Sequence, residues 1–197
     1  MVEDTPNAGP IDHSLGAIWG GTTTVIDFAP VPNEGDLAAG IHDFIAPWIG
    51  NAYTDYSTHC IYRNSNTPDA ISRYKELLDA GFPSIKIFTT DIRPSDGVTR
   101  SLTPIGKIDA GRLQDVMSQI ARHGGVLAVH GEDDELVMYN YLLAQQRGLW
   151  DWHNVHMIHS KTVEDLAFRS VLRLAEQTEV GLYFVHVTAK EGLDAIS

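Results

Sequence analysis

The sequence predicts an α/β fold built on a parallel sheet, and two observations predict it. Five apolar, often β-branched runs recur along the 197 residues. Segments with helical periodicity and capping signals lie between them. Such strand–helix alternation implies parallel pairing. A third observation narrows the class. "GGTTT" (20–24) precedes a strand, whereas a phosphate-binding glycine loop sits between a strand and a helix. That lowers the case for a nucleotide-binding sheet and leaves a (β/α)-barrel or an open doubly wound sheet. In both, chemistry collects at the C-terminal ends of the strands.

Each element has a local reason. "GGTTTVIDFAP" (20–30) is a β-branched strand ended by Pro30. "EGDLAAGIHDFIAPWIG" (34–50) is a helix weakened near Pro47, and "TDYSTHCIY" (54–62) is the second strand. In "TPDAISRYKELLDAG" (67–81), Thr67 caps a helix, Pro68 takes its first position and Gly81 stops it. "SIKIFTT" (84–90) is the third strand, and the Pro- and Gly-bearing loop 91–108 is long enough to suspect a function. Asp109 caps the next helix, and "GVLAVHGED" (125–133) is the fourth strand and its exit. A helix with an acidic first turn follows, then the aromatic and histidine-rich loop "WDWHNVHMIHS" (150–160). The helix 162–179 opens on an expected capping box from Thr162 to Asp165. "VGLYFVHVT" (180–188) is the fifth strand, with a short helix from Ala189.

The formal net charge of −12 argues against nucleic acid or an anionic membrane surface as the main partner. No apolar run is long enough to span a membrane. The first ten residues lack a signal-peptide pattern, and the single cysteine, Cys60, cannot form an internal disulfide. Both features suit a reducing cytoplasm.

Three strands carry the candidate chemistry. Lys86 lies inside "IKIF", His130 ends "VLAVH", and His186 lies in "LYFVHV". Neighbouring parallel strands would bring all three to one mouth. Neutral imidazole is a common metal ligand, whereas an ammonium has no lone pair to give. Burial favours the neutral amine of a lysine. A neutral amine can add carbon dioxide and become an anionic carbamate with two donor oxygens. The bland alternatives are an edge or snorkelling lysine and satisfied core histidines, as expected in an unrelated α/β binding module.

"GGTTTVIDFA", "DYSTHC", "SIKIF", "VHGED" and "YFVHVTAKEG" resemble, in order, segments of the dihydropyrimidinase and hydantoinase group of the amidohydrolase superfamily. The group's usual form of the fourth segment has His-Ala-Glu-Asn after the valine. The resemblance implies a (β/α)₈ TIM-type barrel with two divalent metals, normally zinc. It implies that Lys86 is the carboxylated, bridging lysine and that His130 and His186 bind the second metal. The implied reaction is metal-dependent hydrolysis of a cyclic amide C–N bond in a dihydropyrimidine, hydantoin or related ring. The metals would act as Lewis acids and lower the pKa of bound water. A homo-oligomer, commonly a tetramer, is implied as well. His59 reads as structural or as supporting the ligands, and His153, His156 and His159 as solvated.

The sequence also departs from that pattern. No two histidines stand two residues apart, so the group's His-x-His motif for the first metal is missing; His13 has no such partner. The strand bearing the group's catalytic aspartate is not represented. The expectation is therefore one truncated barrel domain over residues 1–197, about strands two to six, inactive alone. A non-catalytic, dihydropyrimidinase-like scaffold is the alternative. Asp91 stands five residues after Lys86, where many relatives have an oxyanion-stabilising tyrosine, and Arg93 is a nearby candidate for substrate contact.

Overall fold

The computed structural model describes residues 9–91, 107–149 and 151–197. Its frame is a five-stranded, all-parallel sheet in the order β1-β2-β3-β4-β5. The strands are β1 (Thr24–Pro30), β2 (Asp55–Ile61), β3 (Ser84–Phe88), β4 (Val126–His130) and β5 (Leu182–Phe184). Among the described residues the helices are α1 (Pro10–Trp19), α2 (Leu37–Ile45), α3 (Pro68–Ser72), α4 (Tyr74–Asp79) and α5 (Ala110–His123). They continue with α6 (Asp134–Gln146), α7 (Val155–Ile158), α8 (Lys161–Thr178) and α9 (Lys190–Ile196).

The strand order decides between the two architectures left open by the strand–helix pattern, in favour of the barrel that the resemblance implied. A doubly wound sheet reverses its order at a switch point and carries helices on both faces. Here sequence order and spatial order coincide, and right-handed crossovers then put every connecting helix on one face. The helices follow one another around that face: α2 meets α4, α4 meets α5, α5 meets α8, and α8 meets α9. This is the winding of a partial (β/α)₈-type barrel.

The core lies between the sheet and this helix layer. Ala29, Cys60, Ile85, Ile87, Leu127 and Val129 point from the strands into it. Leu37, Ile41, Leu77, Val116, Met117 and Val171 meet them from the helices. Strand alternation then turns Ser84, Lys86 and Phe88 to the opposite, concave face. There the outer strands leave large side chains open, with Ile26 at 46%, Phe28 at 42% and Tyr183 at 57% exposure. The central strands do not: Lys86 is 2% exposed and Ala128 fully buried. Cys60 sits on the helix side, and burial pushes its thiol up to about 12, which leaves it a packing residue.

Local differences from the sequence expectations have physical causes. The helix expected over 67–81 is divided at Arg73. The Glu76 N–H reaches the Arg73 carbonyl three residues back at 2.9 Å, a tightened turn. Its Thr67 cap is present, with the hydroxyl accepting the Ala70 N–H at 3.1 Å, and Asp109 caps α5 in the same way at 2.9 Å. The capping box of Thr162 and Asp165 does not form. Helix α8 starts one residue earlier, after Ser160, and Asp165 pairs with Arg169 at 2.9 Å. Helix α1, absent from the sequence reading, begins with Pro10 at its first position. It is tied to the start of β2 through the buried Ser14 hydroxyl, which accepts the Tyr53 N–H at 3.0 Å. The fifth strand is shorter than expected, because the chain leaves the sheet at His186, whose φ is +38°. Among the described residues no helix is long and apolar enough to cross a membrane.

Candidate functional site

The exits of β4 and β5 meet directly. His130 Nδ1 lies 2.9 Å from His186 Nε2, and the rings meet edge to face with centroids 4.6 Å apart. His130 ends β4, in register with Phe88 on β3, so its ring points to the concave face. His186 stands just beyond β5 in the left-handed region, where a residue with a side chain costs about 1–3 kcal/mol to hold. Such strain persists only where surrounding contacts impose it. The turn is held by Glu164 of α8, whose carboxylate accepts the Thr188 hydroxyl at 2.7 Å and the Ala189 N–H at 2.9 Å.

Lys86 lies on the same face, one step down its strand, in register with Ala128. Desolvation pulls its ammonium from an ordinary 10.5 down to about 7, so a substantial fraction is neutral amine near neutral pH. Its Nζ donates to the Ile87 carbonyl at 3.0 Å and stands 4.0 Å from the centre of the Phe88 ring. Its charge also reaches both neighbouring imidazoles. Burial first, then the His130 ring and, more weakly, Lys86, lower the pKa of His186, while its own backbone hydrogen bond and Glu132 oppose the shift. Burial first and Lys86 second do the same to His59. His59 has a packing role one layer below: its Nδ1 meets Ser84 Oγ at 2.7 Å and its ring stacks on Phe28.

Two residues beyond His130, Glu132 joins the site, a role the sequence reading did not assign. Its Oε2 accepts His130 Nε2 at 2.8 Å and its Oε1 accepts His159 Nδ1 at 2.7 Å. Burial opposes ionisation of this carboxyl. The hydrogen bonds from His130 and His159 outweigh that and draw it down to about 2. His159 Nε2 in turn meets the Tyr141 hydroxyl at 3.1 Å. His159 is thus not the solvated side chain expected from the sequence; the fold brings the start of α8 against the end of β4. His153 and His156 are exposed, as expected, and so is His13 on α1. A cleft of about 350 Å³ opens beside this cluster, lined by His130, Glu132, His159, Lys161, Glu164 and His186, among others.

Asp91 is buried beyond β3, and its backbone N–H donates to the buried Asp134 at 3.1 Å. Lys107 pairs with the same Asp134 carboxylate. Arg93 and the loop over 92–106 lie outside the described residues.

The donor chemistry fits a divalent metal. The facing nitrogens of His130 and His186 share one proton between two imidazoles, and a cation could replace that proton. Lys86 beside them is partly neutral and so open to carboxylation. Among the described residues, however, no three His, Cys, Asp or Glu side chains form a metal-binding group, and the Lys86 amine is turned to its own strand.

Gly131, between His130 and Glu132, stands where the resembled pattern has alanine. A Cβ there would meet the Phe168 ring of α8 at 2.6 Å. Gly131→Ala is expected to lower stability by about 1–3 kcal/mol, and a smaller side chain at Phe168 to restore most of it. Urea unfolding of Gly131→Ala, Phe168→Leu and the double variant checks this. Strict additivity would show that the ring is not the obstacle.

No protein-family model matches the chain. It is 29% identical over 177 residues to a D-hydantoinase of Streptomyces coelicolor, a match covering 90% of this chain and 35% of the relative. It is 26% identical over 191 residues to a D-hydantoinase of Rhizobium radiobacter, covering 93% and 37%. The crystal structure of dihydropyrimidinase from Brevibacillus agri superimposes with a TM-score of 0.82 at 20% identity, over 95% of this chain and 38% of that one. That likeness shows the fold. The chain spans about a third of the length of the curated relatives it matches. It is therefore similar, along nearly all of its own length, to the dihydropyrimidinase and hydantoinase group, both in sequence and in its partial barrel fold.

Proposed function

We propose that this chain carries part of the site of a metal-dependent cyclic amidohydrolase, acting on the C–N bond of a dihydropyrimidine, hydantoin or related ring. The observation that carries the reading is the direct contact of His130 and His186 at two neighbouring strand exits, with the buried Lys86 on the same face. His130, His186 and a carboxylated Lys86 would hold zinc, which would supply Lewis acidity toward water and the ring carbonyl. Carboxylation needs the neutral amine. Its lone pair attacks the carbon of carbon dioxide, an N–C bond forms as one C=O π bond opens, and the nitrogen loses a proton to solvent. The burial that lowers the Lys86 pKa supports this step. The similarity to D-hydantoinases supports the substrate class. We further take the chain to form one barrel domain, to be cytoplasmic and to assemble with copies of itself.

A non-catalytic scaffold on the same fold is the second reading. It is favoured by the Lys86 amine, which is bound to the Ile87 carbonyl rather than to either histidine.

Native mass spectrometry with metal analysis, with and without added bicarbonate and zinc, separates the two. The expected result is an acid-labile carbon dioxide adduct on Lys86 together with bound zinc, both lost in Lys86→Met. Protein that takes up neither would favour the scaffold.

A further inference from the structure

We propose that Glu132 is a positioning residue for His130: clamped between His130 and His159, its carboxylate holds the His130 proton on Nε2 and leaves Nδ1 as the donor nitrogen facing His186. Its consequence for metal binding rests on the amidohydrolase reading above; the proton placement does not.

Glu132 is unusually well fixed. Its N–H donates to Thr89 Oγ1 at 2.8 Å, and the Thr89 hydroxyl donates back to the Glu132 carbonyl at 2.7 Å. The Thr89 N–H also bonds the His130 carbonyl at 3.0 Å. The exits of β3 and β4 are thus stitched together before any side chain of the cluster is placed. With the backbone tied in this way, the carboxylate is not needed as a tether. Both its oxygens go to imidazoles, at 2.8 and 2.7 Å.

A carboxylate only accepts, so each imidazole must present an N–H to it. A neutral imidazole has one N–H. His130 therefore carries its proton on Nε2, and Nδ1 is its lone-pair nitrogen. That is the nitrogen 2.9 Å from His186 Nε2. The same logic runs outward. His159 donates from Nδ1, so its Nε2 accepts the Tyr141 hydroxyl. A line of four hydrogen bonds then has one consistent set of proton positions, from Tyr141 on α6 to His186 beyond β5. Carboxylates placed behind ligating histidines fix ring orientation and raise ligand basicity, and removing them commonly weakens metal binding 10–100-fold. A purely structural Glu132 would tie β4 to the start of α8 with no preference for which His130 nitrogen bears the proton.

The test reads that proton directly. In metal-free protein with ¹⁵N-labelled histidine, long-range ¹H–¹⁵N correlations distinguish the two tautomers of His130. The wild type is expected to be Nε2–H. In Glu132→Leu the acceptor that holds the proton on Nε2 is gone, and the proton between the facing nitrogens can sit on either ring, so His130 is expected to lose its Nε2–H preference and populate both tautomers. Glu132→Gln keeps the shape of the side chain but can no longer accept from both imidazoles, and is expected to populate both tautomers. It also serves should the leucine variant fail to fold. His130 remaining Nε2–H in the folded variants would overturn the proposal.

A zinc titration by calorimetry on the same proteins tests the consequence. A 10–100-fold weaker dissociation constant in Glu132→Leu is expected. If the wild type binds no zinc but the tautomer still follows Glu132, the amidohydrolase reading fails and the positioning role stands. If zinc binds all three proteins alike and the tautomer is unchanged, the positioning role fails and the metal reading stands.

Discussion

Replacing Lys86 with methionine is expected to stabilise the fold while abolishing the carbon dioxide adduct proposed above. Lys86 is 2% exposed between Ile85 and Ile87, so its charged form is desolvated in the folded chain and hydrated in the unfolded one. Methionine has a similar length and no charge, and it suits an apolar strand. The folded pKa of about 7 lies below the ordinary 10.5. Between these values the unfolded chain holds a proton that the folded chain has shed. Stability therefore rises with pH across that window, by at most about 1.4 kcal/mol per pH unit. The penalty is full below about 7 and gone above 10.5. At neutral pH the relief in Lys86→Met amounts to about 4 kcal/mol. Urea unfolding from pH 6 to 10, without bicarbonate or metal, checks this. The wild type should approach the variant as pH rises, and a variant less stable than wild type at pH 7 would show that the amine is not desolvated. A gain in stability in Lys86→Met together with loss of the proposed adduct would mark a position selected for chemistry rather than packing.

Gly125→Ala is expected to be among the most damaging single changes in the chain. Gly125 has a φ of +121°, and a Cβ there would stand 2.1 Å from the Tyr74 hydroxyl oxygen and 2.5 Å from the Pro83 carbonyl oxygen. Neither atom can yield freely. Tyr74 is buried, and its hydroxyl donates to the Gly124 carbonyl at 2.8 Å and lies 3.2 Å from the Pro83 carbonyl. The Pro83 carbonyl also accepts the Val126 N–H that starts the pairing of β3 with β4. Backbone strain and overpacking together put the loss at about 3–5 kcal/mol. Because β4 delivers His130, the loss should spread to the site as weaker protection of the β4 amides in hydrogen exchange. A midpoint within experimental error of wild type would mean that the turn can rearrange. Tyr74→Phe in the same background should recover only part of the loss, since the Pro83 carbonyl remains in the way.

Much of this was legible from local signals. The five strands, the caps of Thr67 and Asp109, and the side of its strand on which each of Lys86 and His130 lies follow from period-two alternation and helix-start chemistry, which are properties of adjacent residues. Other features were not legible because they depend on contacts far along the chain. His159 looked solvated in a polar loop, yet Glu132, 27 residues earlier, and Tyr141, 18 residues earlier, claim both its nitrogens. The part played by Glu132 was equally hidden, since nothing near it in sequence says where its carboxylate points.

The sequence by itself determined the parallel α/β class and the three residues on which the proposed chemistry rests, since both are encoded in strand pattern and residue type. Strand pattern together with the resemblance also pointed to the barrel; tertiary structure alone decided the contact between His130 and His186 and the carboxylate behind it. Those depend on the angle at which each strand leaves the sheet and on which helix end arrives beside it, and packing sets both only once the chain has folded.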